Sequence, residues 1–111
     1  MKASHLHLKV TDLPGTLTWF EKILEIKPQY QNPHMASLPF GPLTLILDIG
    51  ETGAETTLAF DVEDCEQAVA KASSLGAEIL SQPVDQPWGV RAAYLKGPGA
   101  IVVEFEQRLP R

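Results

Sequence analysis

The chain repeats itself. The stretch His5-Leu6-His7-Leu8-Lys9-Val10-Thr11-Asp12 aligns without a gap with Thr57-Leu58-Ala59-Phe60-Asp61-Val62-Glu63-Asp64. Leu6 then matches Leu58, Leu8 matches Phe60, Val10 matches Val62 and Asp12 matches Asp64. Each copy reads as a short alternating strand, an acidic helix cap and a helix. A period of about 50 residues present only twice is too short an array for a solenoid, so the halves are expected to pair with each other. Two modules built this way leave a groove between them, and grooves bind ligands.

In the first copy, Leu6, Leu8 and Val10 fall on one strand face and His5, His7 and Lys9 on the other. Asp12 caps a helix expected over about 13–25, with Pro14 tolerated in its first turn. Leu13, Leu17, Phe20 and Leu24 form the buried stripe of that helix. Strands follow at about 27–31, 34–39 and 42–48, with Pro33 and Gly41-Pro42 marking the turns. Residues 50–55 are read as a linker. The second copy restarts at Thr56, Asp64 caps a helix over about 65–75, and Gln67 is placed as its capping-box partner. Gly76 stops that helix, and strands are expected at about 77–81, 88–95 and 100–106, the loop 82–87 being the longer one. Each half therefore reads βαβββ. Residues 107–111 are expected to fray.

Length and composition set the outer bounds. A chain of 111 residues, 44% apolar and 21% charged, buries a core without staples and is read as one domain over 1–111. Its single cysteine, Cys65, excludes an internal disulfide and fits a reducing compartment. No apolar run reaches the roughly 20 residues of a membrane span, and the N-terminus lacks a signal-peptide core, so a cytoplasmic, soluble protein is expected. A net charge of −5 argues against a nucleic-acid partner. No phosphate-cradling glycine loop, nucleophile elbow or nucleotide fingerprint is present.

The doubled βαβββ module resembles the vicinal oxygen chelate superfamily, which includes glyoxalase I, extradiol dioxygenases and bleomycin-resistance proteins. Besides the repeat, the resemblance rests on the opening His5-x-His7-Leu8-x-Val10-x-Asp12-Leu13, on Trp88-Gly89-x-Arg91, on Gly97-Pro98-Gly99 and on the closing Val103-Glu104-Phe105. It spans roughly residues 3–107, with module one at about 3–49 and module two at about 56–107. It implies an α+β fold in which a curved eight-stranded mixed sheet surrounds a cleft, with the helices outside. It also implies a homodimer. Family members that bind a metal place ligands on the first and last strands of each module, which fall here on His5, Ile46, Thr57 and Glu104. Two of the four are not ligands of the usual kind, and sites for a catalytic divalent ion normally use at least three.

His7 lies on the same strand face as His5, about 7 Å along it, so His5, His7 and Glu104 are a candidate substitute triad for Zn, Ni, Mn or Fe. Otherwise His7 lines the cavity or bonds a neighbour. Glu104 shares a face with Val102, and a carboxyl held there acts as a ligand, as a general base, or as the partner of His5 or Arg91. Trp88, Val90, Ala92 and Tyr94 are read as one strand face, a stacking platform for a planar or aliphatic ligand. Arg91, on the opposite face, is placed at a rim or interface. Cys65 and Trp19 are read as packing residues, and His34 as a solvated turn residue.

Three functional readings follow. The first is binding of a small, partly apolar molecule with no required cofactor, by His5, His7, Trp88, Tyr94, Val102 and Glu104. The second is a metal-dependent lyase, isomerase or dioxygenase in which Glu104 is the catalytic base and the ion polarises vicinal oxygens. The third is a silent accessory domain that meets a partner through a sheet edge.

Overall fold

Alternating apolar residues followed by an acidic cap act in the same way in both halves of the chain, and each half closes on itself. The computed structural model describes residues 2–51 and 53–110. It divides the chain into two units, 1–54 and 55–111. Met1, Thr52 in the expected linker and Arg111 in the expected tail lie outside the described residues. The eight expected strands are present, four to a sheet. No helix is long and apolar enough to cross a membrane.

Unit 1 contains β1 (His5–Val10), α1 (Leu13–Trp19), β2 (Tyr30–Gln31), β3 (Met35–Phe40) and β4 (Leu43–Ile49). Its sheet runs β1-β4-β3-β2, with β1 parallel to β4 and the other pairs antiparallel. The Asp12 carboxylate accepts from the Gly15 amide at 3.0 Å, satisfying one of the unpaired donors of the first helical turn. The helix expected over 13–25 changes character at Phe20. Residues Phe20–Leu24 form a wider π-helical turn, closed by Ile26 N–H donating to Phe20 O at 3.2 Å and ended by Glu25 at φ 59°. The wider turn keeps Phe20 and Ile23 buried together with Leu13 and Thr16, and α1 lies against β4. Leu45, Leu47, Ala36 and Leu38 complete this core.

Unit 2 contains β5 (Thr56–Asp61), α2 (Cys65–Ser74), β6 (Glu78–Asp85), β7 (Val90–Lys96) and β8 (Ile101–Arg108). Its sheet runs β5-β8-β7-β6, with β5 parallel to β8. Asp64 accepts from Gln67 N–H at 3.0 Å, the same cap as in unit 1. Cys65, Val69 and Ala72 of α2 are buried, as are Leu58, Ala93, Leu95, Ile101, Val103 and Phe105 of the sheet.

Three expectations change here. β6 continues through Gln82-Pro83 to Asp85, where a loop was expected, because it is an edge strand that tolerates proline and takes up two register shifts. β7 begins at Val90, so Trp88 sits in the turn before the strand rather than on it. The expected frayed tail is held as far as Leu109, since β8 reaches Arg108 and Leu109 N–H donates to Gly89 O at 3.0 Å.

Candidate functional site

In both sheets, burying the leucine-rich face turns the alternate residues outward, and the candidate residues lie on these polar faces. In unit 1 the register sets His5 beside Thr44, His7 beside Ile46 and Lys9 beside Asp48. Parallel pairing brings His7 Nδ1 within 2.9 Å of Asp48 Oδ2, with the two side chains 55% and 30% exposed. His5 Nδ1 is 2.8 Å from Ser4 Oγ. The two imidazoles meet edge to face with centroids 5.1 Å apart. Each ring is thus tethered through Nδ1, which leaves Nε2 as its unbonded nitrogen. Asp48 was missed from the sequence. Its signal was the two-residue alternation of β4, which places Thr44, Ile46 and Asp48 on one face.

In unit 2 the register sets Glu104 between Ala59 of β5 and Tyr94 of β7, and sets Glu106 between Asp61 and Ala92. Val102 is on the same face, paired with Thr57 and Lys96. Ile101, Val103 and Phe105 point the other way and are buried, as expected. Partial burial raises the Glu104 carboxyl above the usual carboxylate range. The neighbouring Glu106 raises it further, by a hydrogen bond and by like charge, whereas the Tyr94 hydroxyl hydrogen bond pulls it down. Tyr94 in turn is raised by burial and by Glu104. Tyr94 stands directly across from Glu104, and Glu106 follows two residues along on the same face, so the three side chains make one polar row along two strands. Glu106 was the member missed, though it stands two residues from Glu104 on the same strand.

The remaining candidates separate from this row. Trp88 is 67% exposed. It borders a cavity of about 310 Å³ with Gly89, Val90, Arg108, Leu109 and Pro110. Val90, Ala92 and Tyr94 do share a face, but Trp88 is not a member of that strand. Arg91 is held on the opposite strand face, bonded to Asp85 at 2.7 Å and to Glu66 of α2 at 3.2 Å. Cys65 is fully buried, burial raises its thiol, and Sγ lies 3.6 Å from Phe105 O. It is a packing residue.

The donor chemistry of a metal can be tested against each unit. Unit 1 offers two tethered imidazoles beside Ile46, which has no donor atom. Unit 2 offers Glu104, flanked by Glu106 and Tyr94, with Thr57 as the neighbouring hydroxyl. Among the described residues neither unit gathers three His, Cys, Asp or Glu side chains able to hold an ion. The residues of each unit, taken by itself, do not fit a metal centre, and no step is derived through one.

Comparison with known proteins agrees with this architecture. The anthracycline biosynthesis protein DauV of Streptomyces sp. (strain C5) is 28% identical over 92% of this chain, which spans 46% of that relative's length. A glyoxalase/bleomycin resistance protein/dioxygenase from Nocardioides superposes with a TM-score of 0.84 at 20% identity, covering 98% of this chain and 84% of its own. TioX from Micromonospora sp. ML1 superposes with a TM-score of 0.81 at 18% identity, covering 98% of this chain and 100% of its own. These two likenesses establish the fold. The family model described as the glyoxalase/bleomycin resistance protein/dioxygenase superfamily matches residues 2–105, and the chain belongs to that superfamily.

Proposed function

We propose that the protein binds a small, partly apolar organic molecule, using Glu104 as a hydrogen-bonding carboxyl rather than as a metal ligand. The observation that carries this reading is the row Tyr94–Glu104–Glu106. Burial and the adjacent Glu106 both raise the Glu104 carboxyl, so a proton competes with a metal ion for it more strongly than at an ordinary carboxylate. The Glu104 oxygens and the Tyr94 hydroxyl across from them offer a ligand acceptors and a donor on one face. Val102 and Val90 lie on the same strand face, each half-buried, and offer the apolar contact. Likeness to a protein of anthracycline biosynthesis supports a planar, polycyclic ligand.

The test is a fluorescence titration of doxorubicin, as a representative anthracycline, with metal-stripped protein in EDTA. Saturable binding that weakens about tenfold in Glu104→Ala supports the reading. The reading is overturned if doxorubicin does not bind while Mn²⁺, Fe²⁺, Ni²⁺ or Zn²⁺ raises the melting temperature saturably and Glu104→Ala abolishes that rise. That outcome would make Glu104 a metal ligand.

A further inference from the structure

The cavity beside Trp88 has walls fixed by three backbone hydrogen bonds. Gln86-Pro87-Trp88-Gly89 is a tight turn closed by Gly89 N–H donating to Gln86 O at 3.2 Å, with Gly89 at φ 91°, a conformation that glycine adopts freely. Gln86 N–H donates to Val90 O at 2.8 Å, tying the turn to the start of β7. Leu109 N–H donates to Gly89 O at 3.0 Å, which straps the end of the chain along the turn. The volume of about 310 Å³, open to solvent on one side, is at the lower end of the range for small-ligand pockets.

Its lining combines two features that are costly or idle without a ligand. Trp88 leaves two-thirds of its surface in water, although an indole is among the most favourable side chains to bury. Arg108 is exposed and makes no ion pair among the described residues, unlike Arg91 in the next register pair of the same two strands, which bonds two carboxylates. Arg108 pairs directly with Val90 in the β7–β8 register, and Arg108 and Trp88 line the same small volume. Leu109 and Pro110 supply apolar wall. A guanidinium beside an aromatic face and an apolar wall suits a flat ring that ends in a carboxylate, since the fork of the guanidinium matches the two oxygens. Glu106, two residues back on the same face and about 7 Å along the strand, would repel that carboxylate and so direct it to the Arg108 end.

We propose that the Trp88–Arg108 cavity is a binding site for a planar aromatic carboxylate. It is separate from the Tyr94–Glu104–Glu106 row and does not rest on the function proposed for that row. The probe is 2-naphthoate, followed by ¹H–¹⁵N NMR of labelled protein. The expected result is saturable shifts of the Trp88 indole N–H and of the Gly89 and Leu109 amides. Binding should weaken at least about tenfold in Arg108→Gln, and by a similar factor when the probe is the uncharged 2-naphthamide. Trp88→Leu should weaken naphthoate and naphthamide alike, because it removes stacking and leaves the charge. The proposal is overturned if these resonances do not move at millimolar naphthoate, if Arg108→Gln binds as tightly as the wild type, or if the shifts centre on Tyr94. Arg108 and Trp88 are both exposed, so loss of binding with an unchanged NMR spectrum elsewhere separates a lost site from a lost fold. The naphthoate and doxorubicin titrations are read at different residues, so either can fail alone.

Discussion

The turn that joins the two strands of the Tyr94–Glu104 pair depends on a glycine for space, and a substitution there has a calculable cost. Gly97 N–H donates to Ile101 O at 2.9 Å, and a Cβ placed on Gly97 would lie 2.8 Å from that same oxygen and 3.1 Å from Ile101 Cγ2. Carbon–oxygen contacts ordinarily settle at about 3.3–3.6 Å, so Gly97→Ala must open the turn by roughly half an ångström. The obstacle is backbone, and overpacking of this kind costs about 1–3 kcal/mol. The lower entropy of the unfolded alanine chain returns about 0.4–1 kcal/mol. The net expectation is a loss of about 1–2 kcal/mol, read as a lower urea midpoint at unchanged slope. Two other glycines isolate the causes. Gly41 has open space around it but stands at φ 59°, so Gly41→Ala should lose about 0.5–1 kcal/mol through backbone strain alone. Gly53 has neither constraint, and Gly53→Ala should be neutral or slightly stabilising. A Gly97→Ala protein as stable as the wild type, or a Gly53→Ala protein as damaged as Gly97→Ala, would refute the reasoning.

Two further predictions concern titratable groups. In a ¹³C NMR titration, the Glu104 carboxyl should titrate above the ordinary glutamate value of about 4.3, and Glu106→Gln should bring it down while leaving the contribution of burial. Because the folded form holds this proton more tightly than the unfolded chain, the Glu104 contribution to stability is complete below the ordinary value. It is lost as pH rises through the raised one, and a contribution that grew with pH would contradict the assignment. The buried, raised Cys65 thiol should resist Ellman's reagent at pH 8 and react fully once urea unfolds the chain. Rapid stoichiometric labelling of the native protein would show that it is not packed.

Much of this architecture was legible in the residues because it depends on local pattern. Two-residue alternation in β1 and β8 put His5 with His7, and Glu104 with Val102, on the faces they occupy. Asp12 and Asp64, each preceding a helical stripe, are the caps they were expected to be. The misses have specific causes. Pro83 reads as a loop residue unless its strand is known to be an edge, which is a property of the sheet and not of the segment. The placement of Trp88 turned on where a strand begins, and a Gln-Pro-Trp-Gly turn sits at that boundary. The tether between His7 and Asp48 joins residues far apart in the chain, and only the parallel register of β1 on β4 brings them together. The π-helical turn at Phe20 leaves no mark in the apolar spacing, because the same side chains stay buried.

The central position of β8 also has a kinetic consequence. It pairs with β7 through a short turn and with β5 across most of the unit. The β7–β8 hairpin can form within about 1–10 μs, as local hairpins do. The parallel pairing of β5 with β8 must first close a long loop around α2 and β6, and non-local contacts of that kind slow folding. Tyr94 therefore meets Glu104 early, whereas Thr57, Ala59 and Asp61 reach their positions beside β8 only when the sheet closes. Substitutions in β5 should then act chiefly on when the sheet is completed, and substitutions in the β7–β8 turn on whether the nascent hairpin exists to receive it.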